Sequence, residues 1–184
     1  FNWLAGVSYY EDEVEVSQDN DFVGLGWRDM NHYHQQRHGY AAYLGLDYNI
    51  LPELKLHGGV RYSWDKLDVL DYDASSSLFN LLAGQFPATV DPIFSDVTAE
   101  DTFENTSFEV GIDWTVAPDV LVYGSYKEAY RMGVLNGQAF YDAAEVNIAP
   151  PEDANAFEVG LKSEIVPDLL IFNLALSHTR YVNQ

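Results

Sequence analysis

Between residues 40 and 50 the chain alternates without a break. Tyr40, Ala42, Leu44, Leu46, Tyr48 and Ile50 fall on even positions, and Ala41, Tyr43, Gly45, Asp47 and Asn49 on odd ones. A period of two marks a β-strand with unlike faces, and here one face is apolar and aromatic. The pattern resumes after Pro52, where Leu54, Leu56, Gly58, Val60, Tyr62 and Trp64 stand against Lys55, His57, Gly59, Arg61, Ser63 and Asp65. It recurs with Phe108, Val110, Ile112, Trp114 and Val116, and again with Phe157, Val159, Leu161 and Ile165. Weaker runs at residues 1–10 and from 169 to about 181, with a strand of mixed faces at 120–130, bring the expected number to about seven.

The connections fall into two kinds. Three tight turns are expected at Pro52-Glu53, Pro118-Asp119 and Pro167-Asp168, where proline presets φ and the acid bonds nearby backbone. The others are expected to be long loops at about residues 16–37, 70–105 and 131–155. Short turns on one rim and long loops on the other describe an antiparallel meander.

A soluble β-sandwich alternates as well, but two features favour an all-β, antiparallel transmembrane β-barrel. Runs of about 11 residues match a tilted strand crossing hydrocarbon, and Trp3, Tyr40, Tyr48, Tyr62, Trp64 and Trp114 gather on the apolar faces as an interfacial girdle does. On this reading Lys55, Arg61, Glu109, Asp113, Glu158 and Lys162 line a wet interior. Barrel closure satisfies every backbone group in lipid. An odd number of strands, and a first residue already inside a strand pattern, mark residues 1–184 as an excerpt of a larger barrel.

Composition removes several classes of function. Nine Lys+Arg against 29 Asp+Glu give a formal charge of −20, which phosphate backbones repel, so no nucleic-acid partner is expected. There is no cysteine, hence no disulfide and no thiolate chemistry. No apolar stretch approaches the roughly 18 residues of a membrane helix. A hydrolase needs a nucleophile beside a base, whereas His57 and Ser63, on one strand face, are about 20 Å apart at 3.3 Å per residue. No catalytic residue and no cofactor are expected.

"VLVYGSYKEAYRMGVLNG" from Val120, "IAPPEDANAFEVGLKSEI" from Ile148 and "LIFNLALSHTRYVNQ" from Leu170 together resemble the central part of the β-barrel domain of TonB-dependent outer-membrane receptors. Pro151-Glu152 and the Phe157-Glu158, Gly160, Lys162 series carry the likeness. The resemblance implies a barrel of about 22 strands with a plug inside it. It also implies a coupling segment, N-terminal to the barrel, that the TonB complex contacts, with neither plug nor coupling segment falling within these residues. The implied surroundings are outer-membrane lipid and lipopolysaccharide. The implied activity is active import of a scarce nutrient, foremost a ferric siderophore or other iron complex, with haem, cobalamin and carbohydrate as variants; the implied small-molecule partner is a metal chelate or other nutrient. A passive porin or adhesin-type barrel, which shares strands and girdle, is the alternative.

Four groups of residues are candidates for ligand contact. His32, His34 and His38 fall within seven residues, a spacing that can bind transition metals, but without a clear carboxylate set they read as part of a polar external loop and no metal centre is expected. Residues 67–126 hold no Lys, Arg or His while acids accumulate there, so the loop presents a solvated acidic surface able to attract cations. The apolar residues Leu78, Phe79, Leu81, Leu82, Phe86 and Phe94 in the same loop suggest that it folds on itself or onto a ligand, with Phe79 and Phe86 as grips. Arg131 and Asn136 follow the 120–130 strand, and the resemblance sets them at the receptor mouth.

Overall fold

A computed structural model describes residues 1–166 and 168–183. The strands are β1 (Asn2–Phe22), β2 (Trp27–Leu51), β3 (Leu54–Ser76), β4 (Asp91–Ala117), β5 (Val120–Arg131), β6 (Glu152–Val166) and β7 (Leu170–Val182). They form one antiparallel sheet in sequential order, the meander that the alternation predicts. Pro167 itself lies outside the described residues; beside it Asp168 has φ 57° and Leu169 N donates to the Val166 carbonyl at 3.0 Å.

Register places each alternating run on one side. Tyr9 pairs with Tyr40, Tyr40 with Trp64, Val60 with Phe108 and Val110 with Tyr126, so the apolar residues form one continuous outer face. The opposite, inner face carries the expected charges as cross-strand pairs. Lys55 Nζ lies 3.3 Å from Asp47 Oδ2, and His57 Nδ1 lies 3.8 Å from Asp113 Oδ2. The mixed β5 resolves through its partners, with Val122 and Tyr126 outward and Tyr123 inward beside Gly160. Tyr123 donates a 2.8 Å hydrogen bond to Glu158, and Lys162 Nζ sits 5.3 Å from the centre of its ring. A Cβ at residue 160 would come within 2.4 Å of that ring, so this close approach is what the glycine of the Glu-x-Gly-x-Lys motif permits.

Two expectations change. Residues 16–37 and 70–105 are mostly strand, not loop: β1 and β2 join through the four residues 23–26, and only 77–90 separate β3 from β4. Beyond the apolar band the outer face also turns polar, as Glu15, Asp19, Arg28, His32 and His34 show, so the amphipathic contrast fades while the ladder continues. Cross-strand ion pairs such as Arg37 with Asp12 and Arg28 with Asp19 support it there. In the Pro turns, the carbonyls of Glu53 and Asp119, not their carboxylates, accept bonds from Thr115 N (2.8 Å) and Glu164 N (3.0 Å). Asp119 has φ 63°, a left-handed position that Asp tolerates.

The third long connection, residues 132–151, is a true loop, and it lies along the inner face of β2 and β3. The Met132 sulfur lies 3.2 Å from the Tyr10 hydroxyl, the Gly137 carbonyl accepts Asn31 Nδ2 at 2.9 Å, and the Tyr141 hydroxyl donates to Asp29 Oδ2 at 2.6 Å. Since Tyr10 pairs with Gly39, the climb to Asp29 covers ten residues of β2, about 33 Å. Between loop and wall is a dry core of Leu67, Val69, Tyr72, Phe103, Ala139 and Val146.

Candidate functional site

The core forms because the inner face changes character above the girdle. Residues 55 to 65 put Lys, His, Gly, Arg, Ser and Asp inward on odd positions, but the same parity continues to Leu67 and Val69, both fully buried. Two apolar residues on an otherwise wet face mark the ground that the loop covers. A bulge then shifts register between Val69 and Tyr72, with Asp71 at φ 52°, and turns Tyr72, Ala74 and Ser76 inward on even positions. Tyr72 stacks on Tyr33 at 4.8 Å and 6°, while its hydroxyl accepts bonds from Asn31 Nδ2 (2.9 Å) and Ala139 N (3.2 Å). Burial pushes the Tyr72 phenol above its ordinary pKa and outweighs those two bonds, which favour the phenolate.

Higher up, the buried Asp29 carboxylate is held by two hydroxyls, Ser76 Oγ and Tyr141, each at 2.6 Å. Burial, then the bond to Asp29, pushes the Tyr141 phenol up to about 12. At the foot of the loop, the buried Asp65 accepts the Tyr10 hydroxyl at 2.9 Å. Asp65 belongs to a groove of about 720 Å³ with Tyr43, Arg61, Glu109 and Tyr130, where β4 and β5 part above the Glu109–Lys127 pair. The groove offers both charge signs and two phenols, a surface suited to binding polar groups. Ser63 accepts a 3.1 Å bond from Arg61 Nε while His57 faces Asp113, so the wall does not couple that serine to that histidine.

The candidate residues fall in separate places. Arg131 ends β5 and pairs with Glu152, Nη2 to Oε2 at 3.1 Å, with its side chain mostly exposed. Asn136 serves the loop itself: its Nδ2 donates to the Glu145 carbonyl at 3.1 Å and its Oδ1 accepts from Gln138 N at 3.3 Å. Phe79 and Phe86 lie at the far tip, in or after the short helix α1 (Leu78–Leu82), and are 54% and 84% exposed. Phe79 meets Tyr141 edge to face at 6.2 Å. His32 and His34 stand on β2, not in a loop, on the outer face, where Glu15 of β1 supplies a carboxylate beside both.

A family model for the TonB dependent receptor-like β-barrel matches residues 1–184. The chain belongs to the TonB-dependent receptor family. With that membership goes location in the bacterial outer membrane, the apolar outer face of the sheet being a segment of barrel wall against lipid. Among solved TonB-dependent receptors, the ferric yersiniabactin uptake receptor FyuA of Yersinia pestis superposes with a TM-score of 0.71 at 16% identity, covering 96% of this chain and 25% of its own. The ferric-catecholate import receptor Fiu of Escherichia coli K12, closed form, gives 0.58 at 14%, covering 95% and 31%. A double mutant of the Serratia marcescens hemophore receptor HasR gives 0.52 at 12%, covering 99% and 34%. The chain thus spans a quarter to a third of the receptors it matches. No curated protein sequence matches it.

Proposed function

We propose that the protein containing this chain imports a scarce nutrient, foremost a ferric siderophore or another iron complex, and that TonB drives the import through a segment outside residues 1–184. The observation that carries this reading is the family match over the whole chain. The remaining wall strands and a plug complete the protein. The architecture supports a capture surface above the membrane. Phe79, Leu82 and Phe86 stand exposed at the tip, where Leu81 and Phe86 approach Gly26 of the 23–26 turn and Val23 and Leu25 of that turn are exposed as well, an apolar patch held in water beyond the membrane band. We assign that patch to first contact with the ligand, Arg131 to its anionic groups at the foot of the loop, and Asn136 to holding the loop in shape.

Uptake of a labelled ferric siderophore panel in cells with and without TonB tests the proposal. Uptake that is lost without TonB is expected. Uptake that persists unchanged would favour a passive porin. Deleting residues 79–86 in the full-length receptor is expected to weaken binding while the barrel stays folded, because external loops carry recognition and the wall carries stability.

A further inference from the structure

We propose that Glu15, His32 and His34 form a binding site for a divalent transition-metal ion of zinc's class, on the outer face of the β1–β2 hairpin. Glu15 pairs directly with His34, and His32 lies one strand repeat further on, so all three share the face that carries Tyr9 and Tyr40. The site stands six residues beyond Tyr40, about 20 Å along the strand, clear of the aromatic girdle. It is on the opposite side of the wall from the loop and groove, so an ion here is a resident of the hairpin and not cargo in the lumen.

The geometry is close to a chelate. His32 Nε2 lies 3.8 Å from Glu15 Oε1, and His34 Nε2 lies 3.9 Å from Glu15 Oε2. One ligand atom from each of the three residues falls within 4.8 Å of the others. An ion about 2.1 Å from each donor at tetrahedral angles would set the donors about 3.4 Å apart, so small rotamer movements close the site. The two imidazole rings stand at 86° with centroids 5.2 Å apart. The His32 and His34 side chains are 37% and 33% exposed, which leaves an entry path and room for a water as fourth ligand.

Two further features favour the assignment. Asp71 Oδ2 lies 3.8 Å from His34 Nδ1, carried there by the bulged, left-handed residue of β3. A carboxylate on the far nitrogen orients an imidazole and leaves Nε2 for the metal. A donor set of two imidazoles and one carboxylate suits zinc, nickel or copper, whereas calcium and magnesium prefer oxygen alone. The ion would join the two arms of a hairpin that has neither lipid nor loop covering this face.

The test is zinc titration calorimetry on the full-length receptor in detergent, purified without a histidine tag and stripped with chelator. Wild-type protein should bind one zinc more than His32→Gln/His34→Gln, with excess calcium failing to compete. Glu15→Gln should weaken that site by at least about tenfold and Asp71→Asn by about tenfold, the scale of lost supporting partners. His38→Gln, on the same strand face but outside the cluster, should bind as wild type does. Heat-modifiable electrophoretic mobility shows that each variant is a folded barrel. Equal zinc stoichiometry and affinity in wild type and the double variant, or no zinc binding at all, would overturn the site.

Discussion

Replacing Leu67 by Ala should release the 132–151 loop without unfolding the wall. Leu67 is fully buried between β3 and the loop, where Val69, Tyr72, Phe103, Ala139 and Val146 share its core. Leu→Ala at such sites costs about 2–5 kcal/mol, and flanking strands limit how far the cavity can collapse. At about 1.4 kcal/mol per factor of ten, even the lower end raises the population of the opened loop about 30-fold. The opening is local because the membrane strands below make none of these contacts. Hydrogen exchange of the full-length receptor reads this directly. Peptides covering residues 133–149 should lose protection, and those covering the wall between residues 40 and 64 should not. Leu82→Ala is the control: Leu82 is 73% exposed, so its loss should change stability by less than about 0.5 kcal/mol. Unchanged loop protection in Leu67→Ala, or equal loosening in Leu82→Ala, would refute the packing argument.

Val60→Arg puts a charge on the lipid face and should cost about 2–4 kcal/mol near the midplane in denaturant unfolding from bilayers. Gly45→Arg faces inward, where an added Cβ meets only the Leu4 carbonyl at 3.9 Å, and should be much milder. Gly160→Ala should displace Tyr123 from Glu158 and Lys162, at about 1–2 kcal/mol for the lost hydrogen bond and cross-strand contact, measured the same way. Tyr141 holds its proton more tightly when folded, so its contribution to loop docking is intact below its ordinary pKa of 10.0 and is lost as pH rises through about 12. Loop exchange followed over that window should accelerate in the wild type beyond the intrinsic rate, and Tyr141→Phe should flatten the excess.

How much of this was legible depended on whether the two faces of a strand met different solvents. Between residues 40 and 64 lipid lies on one side and water on the other, so alternation gave strand, face and turn together. Above the girdle that contrast fades, and the 16–37 and 70–105 segments read as loops although the ladder runs through most of both. The loop's footing left a trace, since Leu67 and Val69 keep inward parity while being apolar. Tyr72 left none, because the Asp71 bulge shifts its parity. Glu15 is invisible as a partner of His34 until β1 and β2 are paired through the turn at residues 23–26. Counting back from the Phe22–Trp27 pair then sets the two opposite each other. The resemblance singles out Arg131 and Asn136, and aromatic character in a long acidic segment singles out Phe79; the fold gives them separate partners, Glu152, the Glu145 carbonyl and Tyr141, because the loop rises along the wall.

The strands build a membrane wall with a lipid face, a wet face and a loop packed on the upper wet face. The chain has no cysteine, so single cysteines can be placed along β3 in the full-length receptor and probed with a small water-soluble maleimide. Within the bilayer, labelling should alternate, strong at residues 59 and 61 and weak at 58 and 60. Above the girdle it should invert, strong at the outward Asp68 position and weak at 67 and 69 beneath the loop. Equal reactivity on both faces between residues 58 and 61 would contradict the membrane wall, and strong labelling at 67 and 69 would contradict the packed loop.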